Sequence, residues 1–164
     1  MNVKRLTTLS VSVALAMILS FLETLIPPLV AVPGVKIGLA NIVTVFILYV
    51  FGWREAVSVS LIRVCLSALL FGSAVSLLYS ASGALLSIVG MILLKKLPIS
   101  SELSVSVTGG VLHNAGQIIC ASIIMENSAI ALYLPPLVIS GTIAGVAVGA
   151  AAAILTKKLA RVVR

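Results

Sequence analysis

An all-α membrane protein of six transmembrane helices is the fold class this sequence predicts, and three observations carry it. Hydrophobic residues make up 61% and charged residues 9% of the 164-residue chain, where an ordinary globular domain is roughly one-quarter charged, so no water-facing surface can be assembled. The mean hydropathy is +1.29. Apolar runs close to the about 20 residues that cross a bilayer recur from end to end, with only short polar or proline- and glycine-containing interruptions. A single integral membrane domain over residues 1–164 is expected, embedded in the lipid bilayer of the cell membrane.

Span one is expected over residues 6–26. Its basic start, Lys4-Arg5, imitates a secretory signal, but the apolar run is longer than the roughly 7 to 15 residues of a signal core. The Pro27–Gly34 segment, PPLVAVPG, ends it, because proline lacks an amide hydrogen and disfavours a helical residue before it. Span two follows over 35–51 and closes at Gly52-Trp53-Arg54-Glu55, a polar turn with an interfacial tryptophan. Span three is expected over 56–71, ended by Gly72-Ser73, and span four over 74–94, stopped by Lys95-Lys96 and Pro98. Span five covers 103–125, Glu126-Asn127-Ser128 turns the chain, and span six covers 132–155 ahead of a basic tail.

Orientation follows from the basic residues. Lys4, Arg5, Arg54, Lys95, Lys96, Lys157, Lys158, Arg161 and Arg164 fall on one side of these spans and Lys36 on the other. The basic side faces the cytoplasm, which places both termini inside. The net charge of +7 is thereby a topology signal, and nucleic acid is not an expected partner.

Polar groups inside the spans are the candidate site, since each is costly in hydrocarbon and turns toward the bundle interior or a wet cavity. Arg63 sits near the middle of span three. On span five, His113, Asn114 and Gln117 share a face by their three- and four-residue spacings, at a similar depth. Asn41 lies on span two, Ser60 and Ser67 flank Arg63, and span four carries a small polar stripe of Ser76, Ser80, Gly83, Ser87 and Gly90. The expected site is a polar pocket opening outward, with Arg63 supplying charge, His113, Asn114, Gln117 and Asn41 hydrogen bonds, and Glu23 and Lys36 the mouth. The chain has no aspartate, and Glu23 is placed toward the outer end of span one, so a small anionic ligand is expected to complete the pairing of Arg63. The alternative is that these polar groups bond one another as interhelical glue in a structural scaffold.

Small residues mark packing faces. Gly141, Gly145 and Gly149 recur every fourth residue on span six, and Ser12, Ala16 and Ser20 do so on span one, overlapped by Ser10 and Ala14. Either face serves an internal contact or the docking of another subunit. With four carboxylates, Glu23, Glu55, Glu102 and Glu126, the sequence offers no acidic cluster for magnesium, no phosphate-binding loop and no metal site around the lone His113. Cys65 and Cys120 lie in apolar runs. No catalytic residue and no cofactor is expected.

The segments Glu23-Thr-Leu-Ile-Pro-Pro, Val32-Pro-Gly-Val-Lys-Ile-Gly-Leu-Ala-Asn41, Leu70-Phe-Gly-Ser73 and Leu112-His-Asn-Ala-Gly-Gln117 resemble a bacterial membrane family labelled heptaprenyl diphosphate synthase component I, or Gx transporter. That family is in turn similar to the S components of energy-coupling-factor (ECF) transporters, six-helix proteins of this size. The resemblance implies a substrate-binding membrane subunit for uptake. It would capture a small molecule under the loop joining spans one and two, and dock through span one, at Ser12 and Ala16, on a membrane coupling subunit driven by ATPases. The family label implies a different role, a noncatalytic partner in making a prenyl diphosphate for menaquinone.

Overall fold

The structure is a computed structural model and describes residues 3–25 and 38–163. Six α-helices form a bundle: α1 (Val3–Leu25), α2 (Asn41–Val50), α3 (Trp53–Phe71), α4 (Ala74–Lys95), α5 (Glu102–Ile124) and α6 (Leu134–Val163), with a 3-10 helix over Ser128–Tyr133 leading into α6. Four stretches are long and apolar enough to cross a membrane: α1, α4, α5 and the run Ser128–Arg161. The nineteen-residue α3 contains Arg54, Glu55 and Arg63. The outward faces carry apolar side chains, among them Val11 and Ile18 on α1, Leu85 and Val89 on α4, and Ile139 and Ile143 on α6. A surface of this kind suits hydrocarbon, not water.

Span two departs most from the sequence expectation. Residues 35–37, its expected start, lie outside the described residues, and the helix begins only at Asn41. Gly38 adopts a φ of 78°, and Asn41, Ile42 and Val43 donate three residues back to Gly38, Leu39 and Ala40, so a tight turn precedes the helix. Ten residues rise about 15 Å, short of a bilayer core. The shortness is tolerated because α2 is wrapped by its neighbours: Val43 through Leu48 and Val50 are all buried, and its backbone need not meet lipid. The sixth span departs in the other direction. Its basic tail continues as helix to Val163, as Lys and Arg favour helix and complement its C-terminal dipole. Thirty residues rise about 45 Å, longer than a hydrocarbon core.

The helix starts are chemically marked. Ser73 and Ser101 each cap the next helix in a reciprocal pair with the serine three residues on, Ser76 and Ser104. Gly52, at φ 116°, turns the chain from α2 into α3.

The tightest layer is α4, α5 and α6, with α5 in the middle. A Cβ added at Gly110 would come 2.6 Å from the Gly141 carbonyl oxygen, one at Gly145 2.6 Å from the Val107 Cα, and one at Gly149 2.7 Å from the Leu103 Cα. The glycine face of α6 is therefore an internal contact on which backbones touch. On the opposite side of α5, Gly116 approaches the Ser82 carbonyl of α4 in the same way, at 2.7 Å. Ser12 and Ala16 are also internal, 7% and 0% exposed, and Ala16 belongs to the main core cluster with Val45, Ile47 and Leu48. The outward small residues of α1 are instead Ser10 and Ala14.

The bundle has a basic and a non-basic end. At the first, Arg5 of α1 pairs with Glu55 of α3 and lies over the Phe51 ring, while Lys95 donates to the Leu48 carbonyl and sits 4.9 Å from the centroid of Tyr49. Because α6 runs antiparallel to α5, Lys157, Lys158 and Arg161 emerge at this same end, so Val3 and Val163 share it. The opposite end gathers the C-termini of α1 and α3 and the N-termini of α2 and α4.

Candidate functional site

A cavity of about 170 Å³ lies in the half of the bundle toward the non-basic end, and all six α-helices contribute to it. Five of the seven residues expected at the site line it: Glu23, Asn41, Arg63, His113 and Asn114. Helical periodicity explains the convergence. Arg63, Ser67 and Phe71 follow one another at four-residue intervals on α3, as Ser106, Gly110 and Asn114 do on α5 and Gly141, Gly145 and Val148 nearly do on α6, so each helix turns one stripe to the cavity.

Arg63 is the centre of the polar wall. One terminal nitrogen donates to Ser20 Oγ of α1 at 3.1 Å, and the Glu23 carboxylate lies close enough for its charge to act on the guanidinium. Glu23 also accepts a hydrogen bond from the Leu39 amide at 2.7 Å, so it ties the end of α1 to the turn that begins α2. This revises the electrostatics expected from sequence. Glu23 is one turn from Ser20, and the fold brings it into the same cavity as Arg63, so the arginine has a carboxylate nearby before anything binds.

Among the described residues, three polar atoms of the lining are buried without a hydrogen-bond partner: Arg63 Nε, Ser67 Oγ and Ser106 Oγ. Ser106 is 1% exposed. Buried donors and hydroxyls are nearly always satisfied in folded proteins, so these three atoms are open to bonds from water or a ligand. One is an obligate donor and two can donate, which suits a molecule carrying several acceptor oxygens.

The other expected residues have different positions. Asn114 is 3% exposed and donates from Nδ2 to the Leu137 carbonyl at 2.8 Å, a bond that staples α5 to the first turn of α6 and is admitted by the bare Cα of Gly141, where a Cβ would lie 2.8 Å from that nitrogen. Asn114 therefore combines lining with interhelical bonding. Gln117 is 8% exposed but does not line the cavity. Its stem packs toward Gly83 of α4, and its Oε1 is buried without a hydrogen-bond partner among the described residues. The four-residue step from His113 to Gln117 follows the α4-facing side of α5, whereas Ser106, Gly110 and Asn114 follow the cavity side. Lys36 lies outside the described residues.

Sequence reasoning did not select Ser20, Thr24, Ser106 or Phe71 for the site, yet all four line the cavity. The pattern Ser106-xxx-Gly110-xxx-Asn114 was a usable signal, a small and polar stripe on the helix that carries His113. Phe71 meets Phe21 of α1, ring centroids 4.9 Å apart, at the cavity's outer edge. Among the described residues no group of three or more His, Cys, Asp or Glu could hold a metal ion.

A family profile described as heptaprenyl diphosphate synthase component I matches residues 12–155. No curated protein and no solved structure matches the chain.

Proposed function

Because the chain belongs to the heptaprenyl diphosphate synthase component I family, we propose that it is a noncatalytic membrane subunit whose own contribution is to hold a small polar molecule in the Arg63 cavity. The carrying observation is the trio of buried lining atoms that have no hydrogen-bond partner among the described residues, Nε of the Arg63 guanidinium, Ser67 Oγ and Ser106 Oγ. A carboxylate or phosphate oxygen would satisfy them together and gain charge-assisted bonds. Asn41 and His113 line the wall as further hydrogen-bonding groups, and Asn114 fixes the α5–α6 geometry on which that wall is built.

The noncatalytic role is supported by composition. Diphosphate chemistry with magnesium needs clustered carboxylates, and the chain has four glutamates and no aspartate, with only Glu23 in the cavity. The name component I implies a second component, and in this reading the prenyl transfer belongs to that soluble partner. A cavity of about 170 Å³ accommodates on the order of ten water-sized groups, far fewer than a seven-isoprene chain, so a small precursor or effector fits better than the product.

A second reading is favoured by one observation, that the cavity lies toward the end of the bundle opposite the basic residues. With the basic end in the cytoplasm, the cavity faces outward, as a substrate-binding subunit for ECF-type uptake requires.

One experiment addresses both. The protein is purified in native lipid, and released small molecules and co-purifying proteins are identified by mass spectrometry, with Arg63→Lys and Ser106→Ala as folded controls. A single compound enriched in the wild type and depleted in both variants is expected. A prenyl synthase alongside it supports the first reading; ATPases with a membrane coupling protein support the second. No enriched compound, with both variants as stable as the wild type, would refute ligand holding and leave a scaffold.

A further inference from the structure

We infer that the molecule held in this cavity is an aryl oxyanion, a single aromatic ring carrying a carboxylate or phosphate, with its oxygens at the Arg63 end and its ring against Phe71. The inference rests on the ligand-holding reading and adds to it the class of body that the ligand carries. The α3 stripe in the cavity changes character along its length. Arg63 comes first, Ser67 follows about 6 Å further along the helix axis, and Phe71 stands about 12 Å further, at the outer edge. The lining atoms without a hydrogen-bond partner among the described residues belong to the inner part: Arg63 Nε and Ser67 Oγ precede Phe71 on this stripe, and Ser106 Oγ joins them from α5, which starts at the basic end.

Size and lining call for carbon beyond the oxygens. The cavity of about 170 Å³ admits on the order of ten water-sized groups, and acetate or inorganic phosphate would fill no more than half of that. Much of the remaining wall is Val64, Ala68, Ala144, Val148 and the Phe71 ring, which offer water no hydrogen bond and gain contact energy from carbon atoms. One six-membered ring with an oxyanion group comes to about ten non-hydrogen atoms, the number that the space admits. Phe71 indicates that the ring is aromatic. It already pairs with Phe21 of α1, ring centroids 4.9 Å apart and planes tilted by 42°, and aromatic rings gather in such tilted and offset arrangements. Phe71 is 48% and Phe21 40% exposed, so neither ring is closed off by protein, and a ligand ring on Phe71 extends the pair to a cluster of three.

The test uses defined probes on the full-length protein in lipid nanodiscs, reading the melting midpoint against concentration. Phenylacetate and phenyl phosphate are each compared with the bare head, acetate or inorganic phosphate, and with the cyclohexyl analogue of similar bulk, while benzyl alcohol controls for partition of a ring into lipid. At least one aryl oxyanion is expected to stabilise the wild type with an apparent affinity at least tenfold better than its bare head and about two- to tenfold better than its cyclohexyl analogue, the gain that a ring pair adds. Phe71→Leu should bring the aryl probe down to the level of the cyclohexyl one and leave the bare head unchanged, and Ser106→Ala should weaken all three without changing their ratios. No stabilisation by either aryl probe, a bare head, cyclohexyl analogue or benzyl alcohol that performs as well, or a Phe71→Leu variant that keeps the aryl preference overturns the inference. The mass-spectrometric experiment separates the two levels. An enriched compound without an aromatic ring overturns the aryl class and preserves ligand holding, whereas no enriched compound at all overturns both.

Discussion

Gly145→Ala adds one methyl group at a close backbone approach between α5 and α6. The new Cβ would lie 2.6 Å from the Val107 Cα, 3.1 Å from the Ser106 carbonyl oxygen and 3.1 Å from the Val107 nitrogen. Carbon atoms settle at about 3.5 to 4.0 Å, so the helices must part locally by about 1 Å, and none of the three neighbours is a side chain that can swing away. Overpacking of this kind costs typically about 1 to 3 kcal/mol, and the upper half of that range is expected because the obstruction is backbone. Part of the loss should come through Ser106, the cavity residue next to Val107. The assay is reversible unfolding in mixed micelles, with Ala147→Val on the exposed face of the same helix as the control. A loss of about 2 to 3 kcal/mol for Gly145→Ala and within about 0.5 kcal/mol for Ala147→Val is expected. Equal and small effects for the two variants would refute the close α5–α6 contact and, with it, the placement of the cavity wall.

Two further outcomes follow from the lining. Ser106→Ala removes a buried hydroxyl that has no hydrogen-bond partner among the described residues, so the empty protein should be unchanged or stabilised by up to about 1 kcal/mol; a measured loss above that size in the same unfolding assay would show that Ser106 has a structural bond. Asn114→Ala removes the bond to the Leu137 carbonyl, and a loss of about 0.6 kcal/mol, the average for interhelical bonds in membranes, and no more than about 1.7 kcal/mol, their maximum, is expected from micelle unfolding; no loss would mean that the bond does not contribute to stability there.

Much of the candidate site was legible in the sequence because membranes make polar residues conspicuous. Arg63, His113, Asn114 and Asn41 stand out in apolar runs, and all four line one cavity. The signal weakens where a residue is small or where two faces of one helix both carry polar groups. Ser20 and Ser106 look like packing residues, since serine is as common at helix contacts as in sites. Gln117 shares a face with His113, and only the packing of α5 against α4 shows that its stem meets Gly83 and does not line the cavity.

The sequence by itself determined the solvent of this protein, the rhythm of its helices and the separation of a basic end from a non-basic one. Each is a local property: hydropathy over a span, proline, glycine and serine at its limits, and the side on which a lysine or arginine emerges. The tertiary structure decided three other matters. It buried α2 so fully that ten helical residues suffice, it turned Ser12 and Ala16 inward while leaving Ser10 and Ala14 outside, and it brought Glu23 to Arg63. These depend on how helices rotate and pack against one another through contacts between segments far apart in the chain, which spacing within one helix does not encode.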